Sequence, residues 1–251
     1  MEGDTINAIV LAAGYATRLY PITVNFPKPL LTVARKEIMT RLIEKIEETN
    51  IDEISIITNA RFYSIFESWK GNQNSRIPIH IINDLTTSNE TRLGAVGDLN
   101  YAINKGSIDD DLLVIPGDNI FDFSFNTLIE FFIQKQAPVI AVSDMKNKDA
   151  IKKRYSSVVL DGKGKVISFE EKPENPKSTL TCPAFFILPR DHLELVSEYL
   201  YQGHNPDAPG HFLQWLCSAM PVYGLLLQEK RYDIGNIESY NEANKLFEER
   251  G

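Results

Sequence analysis

Short apolar runs alternate with amphipathic stretches along the first part of the chain. Residues 6–13, INAIVLAA, carry no charge, which is typical of a parallel strand buried on both faces. Apolar positions at helical spacing follow in residues 37–49, and a second strand is predicted at 53–59. The same alternation predicts further strands at 78–83, 111–116 and 138–143, and helices at 61–70, after 91 to about 104, and at 126–135. This pattern predicts an α/β fold in which helices cover both faces of a mostly parallel sheet.

The pattern changes in the second part of the chain. Residues 155–160 and 166–170 flank the turn sequence DGKGK and predict a β-hairpin. We interpret this hairpin as part of an insertion that extends the same sheet. The remaining predicted elements are strands at 183–188 and 221–227, and helices at 191–201, 211–218 and 236–249. A length of 251 residues agrees with one domain, which we predict over residues 1–251.

Composition excludes several classes of protein. The chain has 26 Lys and Arg against 34 Asp and Glu, and its net charge of −8 has the wrong sign for a non-specific nucleic-acid surface. Cys182 and Cys217 share no metal-like spacing, so we interpret them as reduced thiols. No apolar run reaches the ~18 residues of a membrane span, and the polar, acidic N-terminus is unlike a secretory signal. We therefore expect a cytoplasmic protein.

A long irregular segment, residues 14–35, follows the first predicted strand. A loop of this length inside a compact domain usually has a function. Because the strand ends in small residues, backbone N–H groups can approach a phosphate, and Arg18 and Lys28 would neutralise its charge. The glycine pattern alone favours a structural crossover with two solvated cations, since neither GxxxxGK[ST] nor GxGxxG is present.

Three further segments place charged side chains beside predicted element ends. Asp118 in PGDN follows a buried strand, where ligands of open α/β sheets bind, and its carboxylate is a candidate Mg²⁺ ligand. A turn aspartate is the alternative. Glu171 and Lys172 in ISFEEKP follow the hairpin, although charged strand ends are common on surfaces. Asp233 in YDIGN precedes the last helix, which it could instead cap.

Taken together, these segments resemble the sugar-1-phosphate nucleotidylyltransferases, the family that includes glucose-1-phosphate thymidylyltransferase. The string LAAGYATRLYPITVNFPKPLL matches the family's N-terminal signature, and VIPGDNIFDFSF, ISFEEKP and YDIGNIESY follow in the family's order. The resemblance spans Ile6 to about Phe247. It implies a Rossmann-like, GT-A-like fold, in which about residues 1–120 bind the nucleoside triphosphate and about residues 121–251 bind the sugar phosphate. A homo-oligomer is expected by the same resemblance.

The resemblance implies a role for each matching residue. Arg18 and Lys28 correspond to residues that bind the triphosphate and activate its α-phosphorus. Glu171 corresponds to a contact with sugar hydroxyls, and Lys172 to the residue that binds the sugar phosphate. Asp118 and Asp233 would share one Mg²⁺. The nucleotide-binding positions implied are Leu11, Ala12, Ala13, Gly14, Thr17, Gly94 and Asp118.

Two alanines and one loop depart from the family pattern. Ala13 and Ala16 stand where the family often has glycine, so their methyl groups would narrow the path of the phosphates. Residues 86–99, TTSNETRLGAVGDL, replace a Gly-rich segment and lack the glutamine that reads thymine in thymidylyltransferases. Asn89 and Arg92 are candidates for contacting the base or the phosphates. The nucleotide (dTTP, CTP, GTP or UTP) and the sugar therefore stay open.

The activity implied is transfer of a nucleoside monophosphate from the triphosphate to a sugar 1-phosphate, with release of pyrophosphate. The attacking phosphate oxygen is already an anion and needs no general base, which agrees with the lack of a candidate catalytic histidine. Two alternatives remain: a cytidylyltransferase for phosphocholine or another non-sugar phosphate, and a catalytically silent regulatory protein that binds nucleotide sugars. The enzyme is favoured by the retention of Arg18, Lys28, Asp118, Lys172 and Asp233.

Overall fold

A mixed sheet of ten strands organises the chain in this computed structural model, which describes residues 5–228 and 231–249, with Arg231 and Asp233 described by backbone alone. The strands are β1 (Ile6–Leu11), β2 (Thr32–Val33), β3 (Lys36–Glu37), β4 (Ile54–Thr58), β5 (Ile79–Asn83), β6 (Asp111–Pro116), β7 (Asn119–Phe121), β8 (Val139–Asp144), β9 (Ser157–Leu160), β10 (Val166–Glu170), β11 (Leu180–Thr181), β12 (Phe186–Leu188), β13 (Tyr223–Leu227) and β14 (Arg231–Asp233). The helices are α1 (Ile38–Glu47), α2 (Tyr63–Gly71), α3 (Ala95–Gly106), α4 (Phe125–Lys135), α5 (Lys148–Ile151), α6 (Glu194–Tyr201), α7 (Pro209–Ala219) and α8 (Ile237–Glu248).

The sheet has a parallel half and a mixed half. Strands β5, β4, β1 and β6 are neighbours in that order and all pair in parallel, so their carboxyl ends lie at one edge. Strand β12 then pairs antiparallel with β6 and β8, β11 joins β8 to β9, and β10 pairs with β9. Strand β13 runs parallel to β8. The hairpin β9–β10 therefore extends the main sheet, as the sequence predicts.

Helices cover both faces of this sheet, as the alternation of elements predicts. Ala8 and Val10 of β1 pack in an apolar layer with α1, α2 and α4. Ile9, which points to the opposite face, packs in a second layer with α3, α6 and α7. Because the central strands are buried on both faces, their sequences read as continuous apolar runs instead of alternating ones.

A third apolar cluster attaches the last helix to the first loop. Ala243 of α8 packs with Leu19, Ile38, Ile120 and Ile234. The N-cap of α8 is Asn236, whose Oδ1 accepts a hydrogen bond from Ser239 N at 2.8 Å. The alternative in which Asp233 caps this helix is therefore wrong, because that residue ends β14 instead.

The shortest elements are absent from the sequence-based prediction. Residues 14–35 contain the 3-10 turns Thr17–Leu19 and Lys28–Leu30 and the strand β2, which pairs with β3. Strands β7, β11 and β14 and helix α5 were also not predicted, since two to four residues carry no readable periodicity. Strand β1 ends at Leu11, two residues before the predicted end, so Ala12 and Ala13 belong to the loop.

Three expectations drawn from composition can be compared with the described residues. Cys182 and Cys217 are both free thiols, and burial raises the pKa of Cys217 to about 12. Within residues 5–228 and 231–249, no three His, Cys, Asp or Glu side chains form a group that could hold a metal ion. Over the same ranges, no helix combines the length and hydropathy needed to cross a bilayer.

Candidate active site

A cleft of about 530 Å³ opens at the carboxyl ends of β1 and β6 and continues toward the end of β10. Its wall includes most of the residues singled out from the sequence: Leu11, Ala12, Ala13, Gly14, Arg18, Lys28, Gly94, Asp118, Glu171 and Lys172. Thr17 is exposed in its 3-10 turn and is not part of this wall. The side chain of Asp233 lies outside the described part of the structure. Segments distant in sequence thus meet in one place.

The loop that follows β1 is held by the ends of the neighbouring strands. Asn59, fully buried just after β4, donates from Nδ2 to the Ala13 carbonyl at 2.8 Å and accepts from Phe62 N at 3.1 Å. Gly117 N, just after β6, donates to the Leu11 carbonyl at 3.0 Å. A Cβ at position 117 would lie 3.0 Å from that same oxygen, so glycine permits the close approach. The backbone at the cleft floor is therefore fixed without any ligand.

A buried ion pair joins this loop to the end of β6. Lys28 is 7% exposed, and its Nζ lies 2.7 Å from Asp118 Oδ2. Asn119 Nδ2 donates to the other oxygen, Oδ1, at 2.8 Å. A buried ammonium is tolerated only when it is paired, so this contact determines where the segment from Phe26 to Leu30 packs. The Asp118 side chain remains 43% exposed toward the cleft.

The surroundings of Asp118 also suit a divalent cation. Strand β14 pairs antiparallel with β7 and places the Asp233 backbone opposite Asn119, one residue from Asp118. Mg²⁺ usually takes one or two protein carboxylates and keeps several waters. A half-exposed carboxylate that already holds an ammonium, with a second aspartate on the adjoining strand, fits that requirement.

Glu171 and Lys172, which follow β10, form another part of the cleft wall. Lys172 has φ of +48°, a left-handed conformation that is uncommon for a residue with a side chain and that clusters at functional sites. Its Nζ lies 3.6 Å from Glu171 Oε1, and the Glu171 side chain is only 9% exposed. Burial raises the pKa of Glu171, while Lys172 and His211 oppose that shift.

A buried acid pair lies behind the second loop. Asp84, just after β5, accepts from Thr86 N at 2.7 Å and from Thr86 Oγ1 at 3.0 Å, and that hydroxyl also bonds the Tyr15 hydroxyl at 3.2 Å. The carboxyl of Asp98 on α3 is hydrogen-bonded to Asp84, and it lines the cleft. Burial, and then the negative charge of Asp84, raise the pKa of Asp98 to about 8. Asp98 is therefore largely protonated at neutral pH.

Sequence reasoning missed this acid pair, although a signal existed. Val96, Leu99 and Ala102 form the buried stripe of α3, and Asp98 lies on the same side of the helix. A charged residue on the apolar side of a helix is either paired or functional. Other cleft residues that the sequence did not single out are Arg154, Tyr155, Ser156 and Asp207.

The N-terminus of α3 is already occupied by the protein itself. Ala95 N donates to the Asp207 carbonyl at 3.3 Å, and Val96 N donates to the Pro206 carbonyl at 2.9 Å. Arg92 forms a bidentate ion pair with the Asp207 carboxylate: Nε donates to Oδ1 at 2.9 Å and Nη2 donates to Oδ2 at 3.1 Å. These first amides of α3 are thus not available for a phosphate, and the loop after β1 is the better place for one.

Ala16 occupies a backbone conformation that suits glycine. Its φ and ψ are +46° and +43°, and it precedes the turn Thr17–Leu19. We expect Ala16→Gly to leave the free energy of unfolding unchanged or to raise it by up to about 1 kcal/mol, because relief of left-handed strain exceeds the added entropy of the unfolded chain. Ala102→Gly, in the buried interior of α3, serves as the control and should lower the free energy of unfolding by about 1 kcal/mol or more. Equal losses in both variants, measured by urea unfolding, would contradict this prediction.

The acid pair predicts an unusual dependence of stability on pH. The pKa of Asp98 is raised to about 8 in the folded state from an unfolded value near 3.8. The contribution of this group to the free energy of unfolding is therefore complete below pH 3.8 and is lost as the pH rises toward 8. Asp98→Asn keeps a neutral side chain that can donate to Asp84. We expect this variant to exceed the wild type in free energy of unfolding by ~1–3 kcal/mol at pH 8. The difference should vanish near pH 4.

Asp144 offers a control of opposite sign for that measurement. A hydrogen bond from Lys146 is the main cause that lowers the pKa of Asp144 to about 2. Asp144→Asn should therefore lose stability relative to the wild type above pH 4 instead of gaining it. Urea unfolding of both variants across pH 4–8 checks the two signs together, and a loss of stability in Asp98→Asn at pH 8 would contradict the protonated pair.

Comparison with known proteins finds curated relatives along almost the whole chain. The chain is 30% identical over 96% of its length to the bifunctional protein GlmU of Methanocaldococcus jannaschii, of which it covers 54%. It is 26% identical over 95% of its length to the UTP–glucose-1-phosphate uridylyltransferase of a Synechocystis species, of which it covers 62%. The chain therefore spans less than two thirds of the length of these curated relatives.

Solved structures share the fold over nearly the whole chain. A putative glucose-1-phosphate thymidylyltransferase of Bacillus anthracis superposes with a TM-score of 0.82 at 22% identity, over 97% of this chain and 96% of that one. A UDP-glucose pyrophosphorylase in complex with UDP-glucose also gives 0.82, at 19% identity, over 98% of this chain and all of that one. The family model for nucleotidyl transferases matches residues 7–250, and the chain belongs to that family.

Proposed function

We propose that this chain transfers a nucleoside monophosphate from a nucleoside triphosphate to a sugar 1-phosphate and releases pyrophosphate. The observation that supports this proposal most directly is that one cleft is lined by Arg18, Lys28 and Asp118, near the ends of β1 and β6, and by Glu171 and Lys172, after β10. Such a cleft can hold two anionic substrates at once. Relatives named as UTP–glucose-1-phosphate uridylyltransferase and putative mannose-1-phosphate guanyltransferase support the same reaction class.

The triphosphate would bind against the loop after β1. Gly14 lies at the cleft, and a Cβ built there would meet no atom within 4 Å, so the space beside it is open. Arg18 and Lys28 would neutralise the phosphates and stabilise the charge that moves onto the departing pyrophosphate. Preorganisation by Asn59 and Gly117 means that little rearrangement is needed when the nucleotide enters.

Asp118 and Asp233 would hold a Mg²⁺ ion beside these phosphates. When bound, the ion would supply charge neutralisation and orient the triphosphate for in-line attack. Lys28 would then share the Asp118 carboxylate with the metal, or turn from it toward the phosphates. In either case the ion pair keeps the carboxylate aimed at the cleft before substrates arrive.

The acceptor would bind at the opposite wall. Lys172 and Arg154 line this part of the cleft and suit a phosphate, and Glu171 suits sugar hydroxyls as a hydrogen-bond acceptor. Bringing the two phosphates together in fixed orientation is the main catalytic task, because the attacking oxygen is already charged. We accordingly assign about residues 1–120 to nucleotide binding and about residues 121–251 to acceptor binding, within one domain.

The alternatives differ from this proposal in what they bind and release. A phosphocholine cytidylyltransferase would need a site for a quaternary ammonium, commonly an aromatic cage, and Tyr155 is the one aromatic side chain on the described acceptor wall. A silent nucleotide-sugar sensor would bind ligand without releasing pyrophosphate. The base, the sugar, a homo-oligomeric assembly and a cytoplasmic location stay predictions.

Pyrophosphate release with Mg²⁺ across four nucleoside triphosphates and a panel of sugar 1-phosphates, with phosphocholine included, tests the proposed reaction. We expect release with a sugar 1-phosphate and none with phosphocholine. Release with phosphocholine alone would instead establish the cytidylyltransferase. Nucleotide binding without release for any acceptor would contradict the enzyme and favour the sensor.

Lys28 provides a residue-level test of the same mechanism. We expect Lys28→Ala to lower kcat by on the order of 10²–10³, since one fixed cation that stabilises the transition state is lost. Lys163→Ala, at an exposed position in the turn between β9 and β10, is the matched control and should retain wild-type turnover. Thermal unfolding shows whether both variants remain folded. Near-normal turnover in folded Lys28→Ala would contradict the assignment.

A further inference from the structure

Residues 205–210, here called the crossing segment, comprise the end of the connection from α6 and the first two residues of α7. The segment extends from the proposed nucleotide end of the cleft to the acceptor end. Asp207, Ala208, Pro209 and Gly210 line the cleft along the way. The segment therefore contacts residues of both walls, Arg92 on one and Glu171 on the other.

At the nucleotide end, the crossing segment packs directly on the start of α3. Besides the backbone bonds from Ala95 and Val96 and the Arg92–Asp207 ion pair, Gly94 has φ of +82°. A Cβ at Gly94 would lie 2.5 Å from the Pro206 carbonyl oxygen, closer than real Cβ contacts allow. Because Gly94 has no side chain, the segment can pack directly against the start of α3.

At the acceptor end, the crossing segment packs against the Glu171 carboxylate. A Cβ at Gly210 would lie 2.0 Å from Glu171 Oε2 and 2.4 Å from its Cδ, so any side chain at this position must displace the carboxylate. Gly210 is the second residue of α7, whose N-terminal end favours negative charge. From the same helix, Gln214 Oε1 accepts a hydrogen bond from Glu171 N at 2.8 Å. Helix α7 thus contacts both the backbone and the carboxyl group of Glu171.

The crossing segment is stiff between these two ends. Asp207 N donates to Asn205 Oδ1 at 2.8 Å, and the Asn205 carbonyl accepts from the Tyr199 hydroxyl at 2.8 Å. Pro206 and Pro209 have fixed φ angles. These contacts hold the segment in place, so a clash at Gly210 is expected to move the Glu171 carboxylate and not the segment itself.

We propose that Gly210 and Gln214 are positioning residues for acceptor binding: with the crossing segment, they hold the Glu171 carboxylate at a set distance from the nucleotide loop. This inference rests on the proposed transfer to a sugar 1-phosphate. Neither residue needs to touch the reacting atoms. Their effect is on where Glu171 meets the acceptor, and hence on the affinity for that substrate.

Steady-state kinetics of Gly210→Ala, with each substrate varied in turn, tests the proposal. We expect the KM for the sugar 1-phosphate to rise on the order of 10- to 100-fold, as expected for a binding group displaced by about 1 Å. The KM for the nucleoside triphosphate should stay at the wild-type value. A purely structural role would lower the fraction of active protein without separating the two KM values.

Two further variants make the experiment decisive. Gln214→Ala, at an exposed position, removes the hydrogen bond to Glu171 N without a steric clash, and it should raise the same acceptor KM by a smaller factor. Gly71→Ala, at the end of α2 where a Cβ meets nothing within 4 Å, is the control and should change neither KM. If Gly210→Ala does not fold, Gln214→Ala alone decides. An unchanged acceptor KM in a folded variant overturns the inference, whereas no turnover in the wild type would overturn the proposed function.

Discussion

The parallel alignment of β5, β4, β1 and β6 is the constraint on which the candidate site depends. Parallel strands bring their carboxyl ends to one edge, so the residues just after each strand become neighbours although they are distant in sequence. Asn59 after β4 bonds to the loop after β1, Gly117 after β6 bonds to the last residue of β1, and the segment after β6 also supplies Asp118. Had one strand run the other way, its polar residues would lie at the opposite edge. The apolar core thus serves function by fixing strand direction.

The mixed half of the sheet positions the proposed acceptor wall. Glu171 and Lys172 follow β10, which lies at the far end of the sheet from β5. Strand pairing alone leaves them distant from the nucleotide end, and α7 with residues 205–210 supplies the connection through Gly210 and Asp207. The left-handed backbone of Lys172 belongs to the same arrangement, since the surrounding contacts sustain a conformation that an isolated residue would leave. Tertiary packing therefore offsets the backbone strain at Lys172.

Sequence predicted the long elements well because their patterns are physical requirements of burial. Strand β6 was predicted with its observed bounds, and the charged residues after β1, β6 and β10 were located through their positions at strand ends. The features that the sequence did not predict depend on contacts between residues distant in sequence, which no local pattern contains. Burial, and then the charge of Asp84, raise the pKa of Asp98, and the tight fit of Gly210 depends on Glu171, 39 positions away by residue number. The family resemblance flagged Ala16 as unusual, but only backbone angles show that its conformation favours glycine.

The charge balance of the cleft explains how an acidic protein can attract anionic substrates. The net charge of −8 would repel a triphosphate at long range, so local arrangement must decide. One acid near the nucleotide end is neutral without a cation at neutral pH: burial, and then the negative charge of the hydrogen-bonded Asp84, raise the pKa of Asp98 to about 8, so Asp98 holds a proton. Asp207 is paired with Arg92. Arg18 therefore faces the cleft with little competing negative charge from Asp98 and Asp207. By removing charge through burial, the protein leaves its few cations effective where phosphates would bind.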